Sequence, residues 1–353
     1  MTSAYLYDLP PERIAQRPVL PYDSAKLLLV DREGGALSER QFKDLPNSVG
    51  AADLFVFNNT KVLPARLFGR FDGGGGMEVL LVRRESDVRW ICLGKPLKKF
   101  RDGRVLRFEH GLEARVLQRI GEQQVLLEFS TNEAASAEAL LRKSGVMPIP
   151  PYIRGGVADQ KDSSDYQTFF AEHEGSVAAP TASLHFTPEL VRALKEKGCG
   201  IEFVTLHLGT ASFLPLWNEG QEPGQTLTPP GEERGFFDAA AYRRIVGHKE
   251  RGGRVIAVGT SAVRLVESAV RLASVPESGI VEVKTDLFIQ PGFEFRVVDA
   301  LVTNFHQPRT THLLLVEAFM GRDLLSQSYD FALGNEFRFL SYGDGMFISG
   351  RRR

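Results

Sequence analysis

One stretch limits the fold more than any other. Between residues 65 and 129 every apolar segment is short and strand-like, and no segment of helical period interrupts them. The segments lie at 65–71, 77–82, 89–94, 104–108, 112–118 and 123–129, separated by Gly-rich or charged turns such as Arg101-Asp102-Gly103. Short strands at near-regular spacing predict a small antiparallel barrel or sandwich. On either side the texture changes. The apolar runs 27–31 and 54–57 suit strands buried on both faces. Further on, strands at 201–208, 254–258 and 297–305 alternate with helices at 187–197, 239–251, 261–272 and 310–320. Thr187-Pro188-Glu189 is a strong helix start, and Asp238 is placed to cap the next helix. Strand–helix alternation with short links predicts a mostly parallel, helix-covered sheet. The expected fold is therefore α/β, a larger mostly parallel α/β domain (1–67 and 147–353) with an inserted small antiparallel β-barrel (68–146). Residues 133–143 have helical composition, and Met147-Pro148-Ile149-Pro150-Pro151-Tyr152 forces an extended return from the insert.

Composition narrows the function classes. The 353 residues suffice for two domains, and 43% hydrophobic with 25% charged residues suits a packed globular chain. No apolar run reaches the roughly 18 residues of a membrane helix. Residues 1–8 lack the basic and apolar pattern of a secretory signal, so a cytoplasmic protein without a membrane partner is expected. Cys92 and Cys199 sit among apolar neighbours and predict buried thiols. No His or Cys pair has metal spacing, so no metal is expected. A net charge of −1 excludes a purely electrostatic nucleic-acid binder but leaves room for a local patch. Lys95, Lys98, Lys99 and Arg101, near Trp90 and Phe100, form such a patch in the insert; a solvated turn is the competing reading.

Four segments carry polar residues at the ends of expected strands, where open α/β sheets keep their sites. Val258-Gly259-Thr260-Ser261 opens a helix whose N–H groups favour an anion, with Arg264 one turn along. Val204 to Gly209 ends in His207 and a small-residue turn. Thr303-Asn304-Phe305-His306 ends another strand, and Thr181 to His185 precede a helix. Singly, each is equally a capped helix or a satisfied core histidine. Jointly, if the sheet is parallel, they meet on one edge. His207 and His306 are candidate bases near neutral pH. No G-x-x-x-x-G-K-[ST], G-x-G-x-x-G or G-x-S-x-G motif is present.

At these segments the chain resembles the S-adenosylmethionine:tRNA ribosyltransferase-isomerases of queuosine biosynthesis. The resemblance rests on Leu9-Pro10-Pro11-Glu12-Arg13-Ile14, Phe57-Asn58-Asn59-Thr60-Lys61-Val62, Tyr166-Gln167-Thr168, Ala179-Pro180-Thr181-Ala182-Ser183-Leu184-His185, the His207 and Gly259 segments, Asn304-Phe305-His306 and Ser341-Tyr342-Gly343-Asp344, in the family's order. It implies S-adenosylmethionine as co-substrate and tRNA as partner; a monomer without a metal is expected. The ribosyl moiety passes to 7-aminomethyl-7-deazaguanine at the tRNA wobble position, giving epoxyqueuosine, adenine and methionine. It further implies His207 and His306 as base and acid, unassigned between them, and Thr260, Ser261 and Arg264 as holders of the methionine carboxylate. Asn58, Asn304 and Thr181 would orient substrate, and His185, Gly209, Thr210, Tyr342 and Asp344 would complete the binding site. Arg66 and the Lys95–Arg101 patch would face RNA. The chain departs from the family at Tyr22, at Asn59, at Gly209 to Phe213 and at Ala262. Between residues 216 and 235 it has no His where the family has His-x-Met-His-x-Glu. A divergent S-adenosylmethionine-dependent relative with another acceptor, or a non-catalytic RNA-binding protein of the same fold, are the competing readings.

Overall fold

A computed structural model of the chain describes residues 7–121, 123–131, 136–209 and 229–349. Thr210 and the turn after it, the start of the expected helix at 133–143, and the tail from 350 onward lie outside these. In chain order the elements are β1 (Lys26–Asp31), β2 (Leu37–Gln41), β3 (Asp53–Asn58), β4 (Thr60–Val62), β5 (Arg66–Phe71), β6 (Gly76–Arg84), β7 (Arg89–Lys95), β8 (Val105–Phe108), β9 (Leu112–Ile120) and β10 (Gln124–Thr131). They continue with α1 (Ala137–Ser144), α2 (Asp162–Asp165), β11 (His173–Ser176), α3 (Pro188–Glu196), β12 (Gly200–His207), β13 (Glu233–Asp238), α4 (Ala239–Glu250), β14 (Arg254–Val258) and α5 (Thr260–Ala269). The last are β15 (Ile280–Thr285), β16 (Ala300–Asn304), α6 (Thr311–Met320), α7 (Arg322–Gly334) and β17 (Gly345–Ser349).

The chain divides into two compact units: Met1–Lys61 with Gln167–His173 and Ala179–Arg353, and Val62–Tyr166 with Glu174–Ala178. The first is built on a nine-stranded sheet in the order β15-β13-β12-β3-β14-β16-β17-β1-β2. Its centre is parallel, with β12 beside β3, β3 beside β14 and β14 beside β16. β17 then enters antiparallel to β16 and parallel to β1. The far edges, β13–β15 and β1–β2, are antiparallel, so the sheet is mixed and the expected parallel character belongs to its centre. Every residue of β3 is buried, as a central strand covered on both faces requires. One face packs Phe55 and Phe57 with Ile256, Val258, Val302, Phe186 and Leu190. Phe57 and Phe186 meet edge-to-face at 4.8 Å.

The helix starts follow their sequence signals. Thr187 Oγ1 accepts from the Leu190 N–H at 3.1 Å and donates to Asp23 at 2.8 Å, ahead of Pro188. Asp238 accepts from the Ala240 and Ala241 N–H groups at 2.7 and 3.2 Å. β13 carried no such signal, because charged residues and a glycine interrupt it. The glycine is required: a Cβ at Gly235 would lie 2.3 Å from the Thr205 carbonyl oxygen on β12.

The second unit is a closed antiparallel barrel in the order β10-β7-β6-β5-β8-β9. Leu67, Phe71, Val79, Trp90, Phe100, Leu127 and Phe129 fill it. Val146 bridges back to Arg66, and Arg66 donates to the Gly156 carbonyl. The proline-rich stretch expected to return to the sheet therefore stays with the barrel through Tyr166.

Under the sheet's centre, Arg254 at the start of β14 forks onto Asp53 at the start of β3. Nε and Nη2 donate at 2.7 and 3.0 Å, and both side chains are buried. Truncation of one partner strands the other charge, a loss of about 3–5 kcal/mol. Asp53→Ala is expected to lower the urea midpoint accordingly, whereas Asp53→Leu/Arg254→Met recovers most of the loss. Equal destabilisation of single and double variants would refute this account.

Candidate functional site

The strands β12, β3, β14 and β16 run parallel, so their C-terminal ends lie on one edge of the sheet. Those ends are His207, Asn58, Gly259 and Asn304. The edge is held together by Asn58, which is fully buried. Its Nδ2 donates to the Leu206 carbonyl at 3.0 Å and to Ser261 Oγ at 3.1 Å. Its Oδ1 accepts from the Thr60 and Leu206 N–H groups, both at 3.1 Å. An asparagine amide has two donors and two acceptor positions, and all are used. Asn58 and Ser261 thus build the edge rather than reach outward.

Gly259 joins β14 to α5 at φ +86° and ψ 153°, a conformation reserved for glycine. Among the described residues no side chain caps α5, so its first-turn N–H groups at Thr260 and Ser261 lie at the positive end of the helix dipole without a side-chain partner from Gly259. Arg264 is turned away from this role. Its Nη1 forms an ion pair with buried Glu233, while Nε donates to the Leu287 carbonyl at 3.2 Å and Nη2 to the Thr285 carbonyl at 3.4 Å. Glu233 also accepts from the Gly209 N–H at 3.4 Å, which ties the turn after His207 to α5. The sequence reading missed Glu233, because the second of two consecutive Glu after a Gly- and Pro-rich stretch has no motif to mark it.

His207 Nδ1 lies 2.9 Å from Thr60 Oγ1. Burial lowers its pKa first and the neighbouring His173 adds to this. Phe236 sets its ring against both imidazoles, 5.9 Å from His207 and 4.9 Å from His173. His306 Nε2 lies 2.9 Å from Thr303 Oγ1, and burial, then His312, hold it well below the ordinary histidine range. The two candidate imidazoles share the edge but do not touch. His207 ends β12 and His306 follows the end of β16, strands three spacings apart in the sheet, roughly 14 Å.

Asn304 links Thr181 and His185: Oδ1 accepts from Thr181 Oγ1 at 3.0 Å, and Nδ2 lies 3.3 Å from His185 Nε2. His185 stacks on Phe42 at 4.0 Å, and burial, with a smaller contribution from Arg338, lowers its pKa to about 3 against a backbone hydrogen bond at Tyr22. Asp344 accepts from the Lys26 N–H at 2.9 Å and the Arg338 N–H at 2.7 Å, and Tyr342 is buried beside it. His185, Tyr342 and Asp344 therefore sit as buried framework. A cavity of about 220 Å³ lined by Asn59, His173, Phe203, Phe236 and Arg244 lies beside β12, without His207 or His306 in its wall.

In the barrel, Lys95, Lys98, Lys99 and Arg101 are exposed, and none has an ion pair among the described residues. Trp90 and Phe100 are core residues at 9% and 0% exposure, so they offer no stacking surface beside the patch. Arg66 pairs with Glu78 at 3.2 Å. No group of His, Cys, Asp and Glu able to hold a metal occurs among the described residues. No helix among them is long and apolar enough to cross a membrane.

The buried neutral imidazole predicts an acid-side instability. His185 binds a proton near pH 6.5 when unfolded and near 3 when folded. The unfolded chain holds the extra proton between these values, so stability is lost as pH falls from about 6.5, by up to ~1.4 kcal/mol per pH unit from this group. Urea midpoints measured from pH 7 to 4.5 should fall less steeply in His185→Gln than in wild type; parallel slopes would contradict the assignment.

The family described as queuosine biosynthesis protein matches residues 2–348. A protein of Rhizorhabdus wittichii named S-adenosylmethionine:tRNA ribosyltransferase-isomerase is 42% identical over 346 residues, 97% of each chain. One of the same name from Trichlorobacter lovleyi is 40% identical over 348 residues, 99% of each chain. The crystal structure of the S-adenosylmethionine tRNA ribosyltransferase from Thermotoga maritima superposes with a TM-score of 0.55 at 34% identity, covering 98% of this chain and 99% of that one.

Proposed function

Because the chain belongs to the queuosine biosynthesis protein family, we propose that it transfers and isomerises the ribosyl moiety of S-adenosylmethionine. The acceptor is 7-aminomethyl-7-deazaguanine at the tRNA wobble position, and the products are epoxyqueuosine-tRNA, adenine and methionine. It does so in the cytoplasm, as a monomer. The observation that carries this reading is the shared edge of the parallel strands. There an uncapped helix N-terminus lies between two imidazoles of lowered pKa.

The chemistry assigns work to each part. A sulfonium acidifies the hydrogens on the adjacent C5′, so one neutral imidazole removes a proton there. The other imidazole, also neutral, donates its ring N–H as a hydrogen bond to the departing adenine, whose proton comes back from the C5′ base through solvent. His207 and His306 fill these parts. The methionine carboxylate rests on the α5 N–H groups at Thr260 and Ser261, because Glu233 occupies Arg264. Asn304, held by Thr181, orients the ribosyl group. Arg66, Lys95, Lys98, Lys99 and Arg101 face the tRNA backbone. A second reading, the same cofactor with another acceptor, is favoured by the lack of His between residues 216 and 235.

Incubation with S-adenosylmethionine and tRNA carrying the deazaguanine, followed by mass analysis of the anticodon nucleosides, separates these. Epoxyqueuosine with free adenine is expected; no product overturns the reading, and adenine release only with another acceptor favours the second. His207→Ala and His306→Ala should each lower kcat by about 10²-fold or more, and wild-type turnover in both would end the acid–base assignment. Lys98→Ala/Lys99→Ala/Arg101→Ala should weaken tRNA binding and reduce the slope of log K against log salt by roughly one per lost phosphate contact. An unchanged slope would remove this patch from the RNA surface.

A further inference from the structure

The barrel turns one aromatic ring outward. Along β5 the side chains alternate: Leu67 and Phe71 fill the barrel, while Arg66, Phe68 and Arg70 lie on its outer face. Phe68 is 54% exposed, and no described ring or cation packs on it. A single exposed phenylalanine is ordinary on a protein surface. The charges around this one are not arranged as an ordinary surface would have them.

Each carboxylate that the neighbouring strands turn outward is already held by its own arginine. Glu78, directly across from Phe68 on β6, pairs with Arg66 at 3.2 Å. Glu113 on β9 pairs with Arg107 at 3.3 Å, and Glu128 on β10 pairs with Arg89 at 2.8 Å. Arg70 and Arg115 are left over, exposed and without an ion pair among the described residues. Against the exposed Glu109 just past β8, the face keeps an excess of positive charge. Arg70 lies opposite Gly76 on one side and opposite Arg107 on the other. Like charges directly opposite each other weaken a strand pair, and a phosphate between two guanidinium groups relieves that repulsion.

The same face leads to the lysine patch. Arg104 pairs through Nε with Asp72, two residues past Arg70, at 3.2 Å, and its Nη1 donates to the Lys99 carbonyl at 3.0 Å. At the rise of an extended strand, Phe68 and Asp72 are roughly 13 Å apart.

We propose that the outer face of β5 docks single-stranded RNA: the Phe68 ring stacks an unpaired base of the tRNA anticodon loop, and Arg70 with Arg107 holds the adjoining phosphate. An exposed ring beside free cations accepts any unpaired base by its π-face, whereas bases inside a duplex are closed to it. This rests on the tRNA partner of the transferase reading and deepens it, since Phe68 makes the stacking contact that buried Trp90 and Phe100 cannot make. The RNA track runs from Phe68 past Arg70 toward Lys99.

The test is binding of an anticodon stem–loop hairpin, and of a blunt duplex of the same length, to the full chain over a range of salt. Phe68→Leu keeps an apolar side chain and removes the ring. It should weaken hairpin binding about 5-fold or more, leaving the salt slope and the duplex affinity as in wild type. Arg70→Gln should weaken binding and lower the slope of log K against log salt by roughly 0.7, the loss of one single-strand phosphate contact. Phe68→Trp retains the platform, so its affinity should match wild type and its emission should be quenched by the hairpin but not by the duplex. Urea midpoints near wild type establish that the variants are folded. Wild-type hairpin affinity in folded Phe68→Leu overturns the proposal. So does a change in sedimentation of Phe68→Leu with RNA binding intact, which marks a self-association face instead. If wild type forms no epoxyqueuosine while both variants still weaken the hairpin, the transferase reading fails and the RNA face stands. Epoxyqueuosine formation by wild type with unaltered hairpin binding in both variants does the reverse.

Discussion

The Asn58 amide is the contact on which the arrangement of the edge depends. It lies at the end of a strand buried at every residue and spends all four of its hydrogen-bonding positions on β12, on α5 and on its own turn. A buried amide left half satisfied costs about as much as several good contacts contribute. Its neighbours are therefore held at the distances it requires. The Leu206–His207 backbone, Ser261 and Thr60 become one rigid group, and the α5 N-terminus and His207 are placed by the same side chain. Asn59 continues the pattern, accepting from Thr205 Oγ1 at 2.6 Å and donating to Glu172 at 3.0 Å.

Burial, more than charge pairing, sets the electrostatics. Each described imidazole on this edge with a resolved shift is pushed down chiefly by desolvation, so the edge offers lone pairs rather than cations at neutral pH. The basic group that sequence pattern nominated for anion binding, Arg264, is spent internally. It joins β13, α5 and the segment after β15. The helix N-terminus can hold an anion with backbone alone, without burying a free guanidinium.

Much of this was legible before any coordinates. The barrel was visible as an unbroken series of short alternating segments, and Thr187 and Asp238 announced their helices because a side-chain cap is a local interaction. The ends of β12, β3, β14 and β16 were legible because each apolar run stops at a polar residue. β13, β15 and β17 were not. β13 carries Glu233, Arg234 and Gly235 on an edge-side strand, where the partner β12 rather than local pattern selects the residues. β17 is a short C-terminal segment whose place between β16 and β1 depends on residues some 300 positions away. The supposed stacking aromatics of the barrel, Trp90 and Phe100, proved to be its filling, since neither an aromatic in an alternating strand, as Trp90 is, nor one in a connecting turn, as Phe100 is, carries a mark of which way it will face.

What the sequence determined by itself is the set of local decisions: where strands and helices start, which turns need glycine, and which polar residues end each strand. Family membership, resting on motifs spread along nearly the whole chain, belongs to the same set. Tertiary structure alone decided the roles within that set. Asn58 became a tie, Arg264 a strut for Glu233, and His185 a buried framework ring. Those outcomes turn on through-space neighbours and on how far each group is removed from water. Neither is encoded in the spacing of residues along the chain.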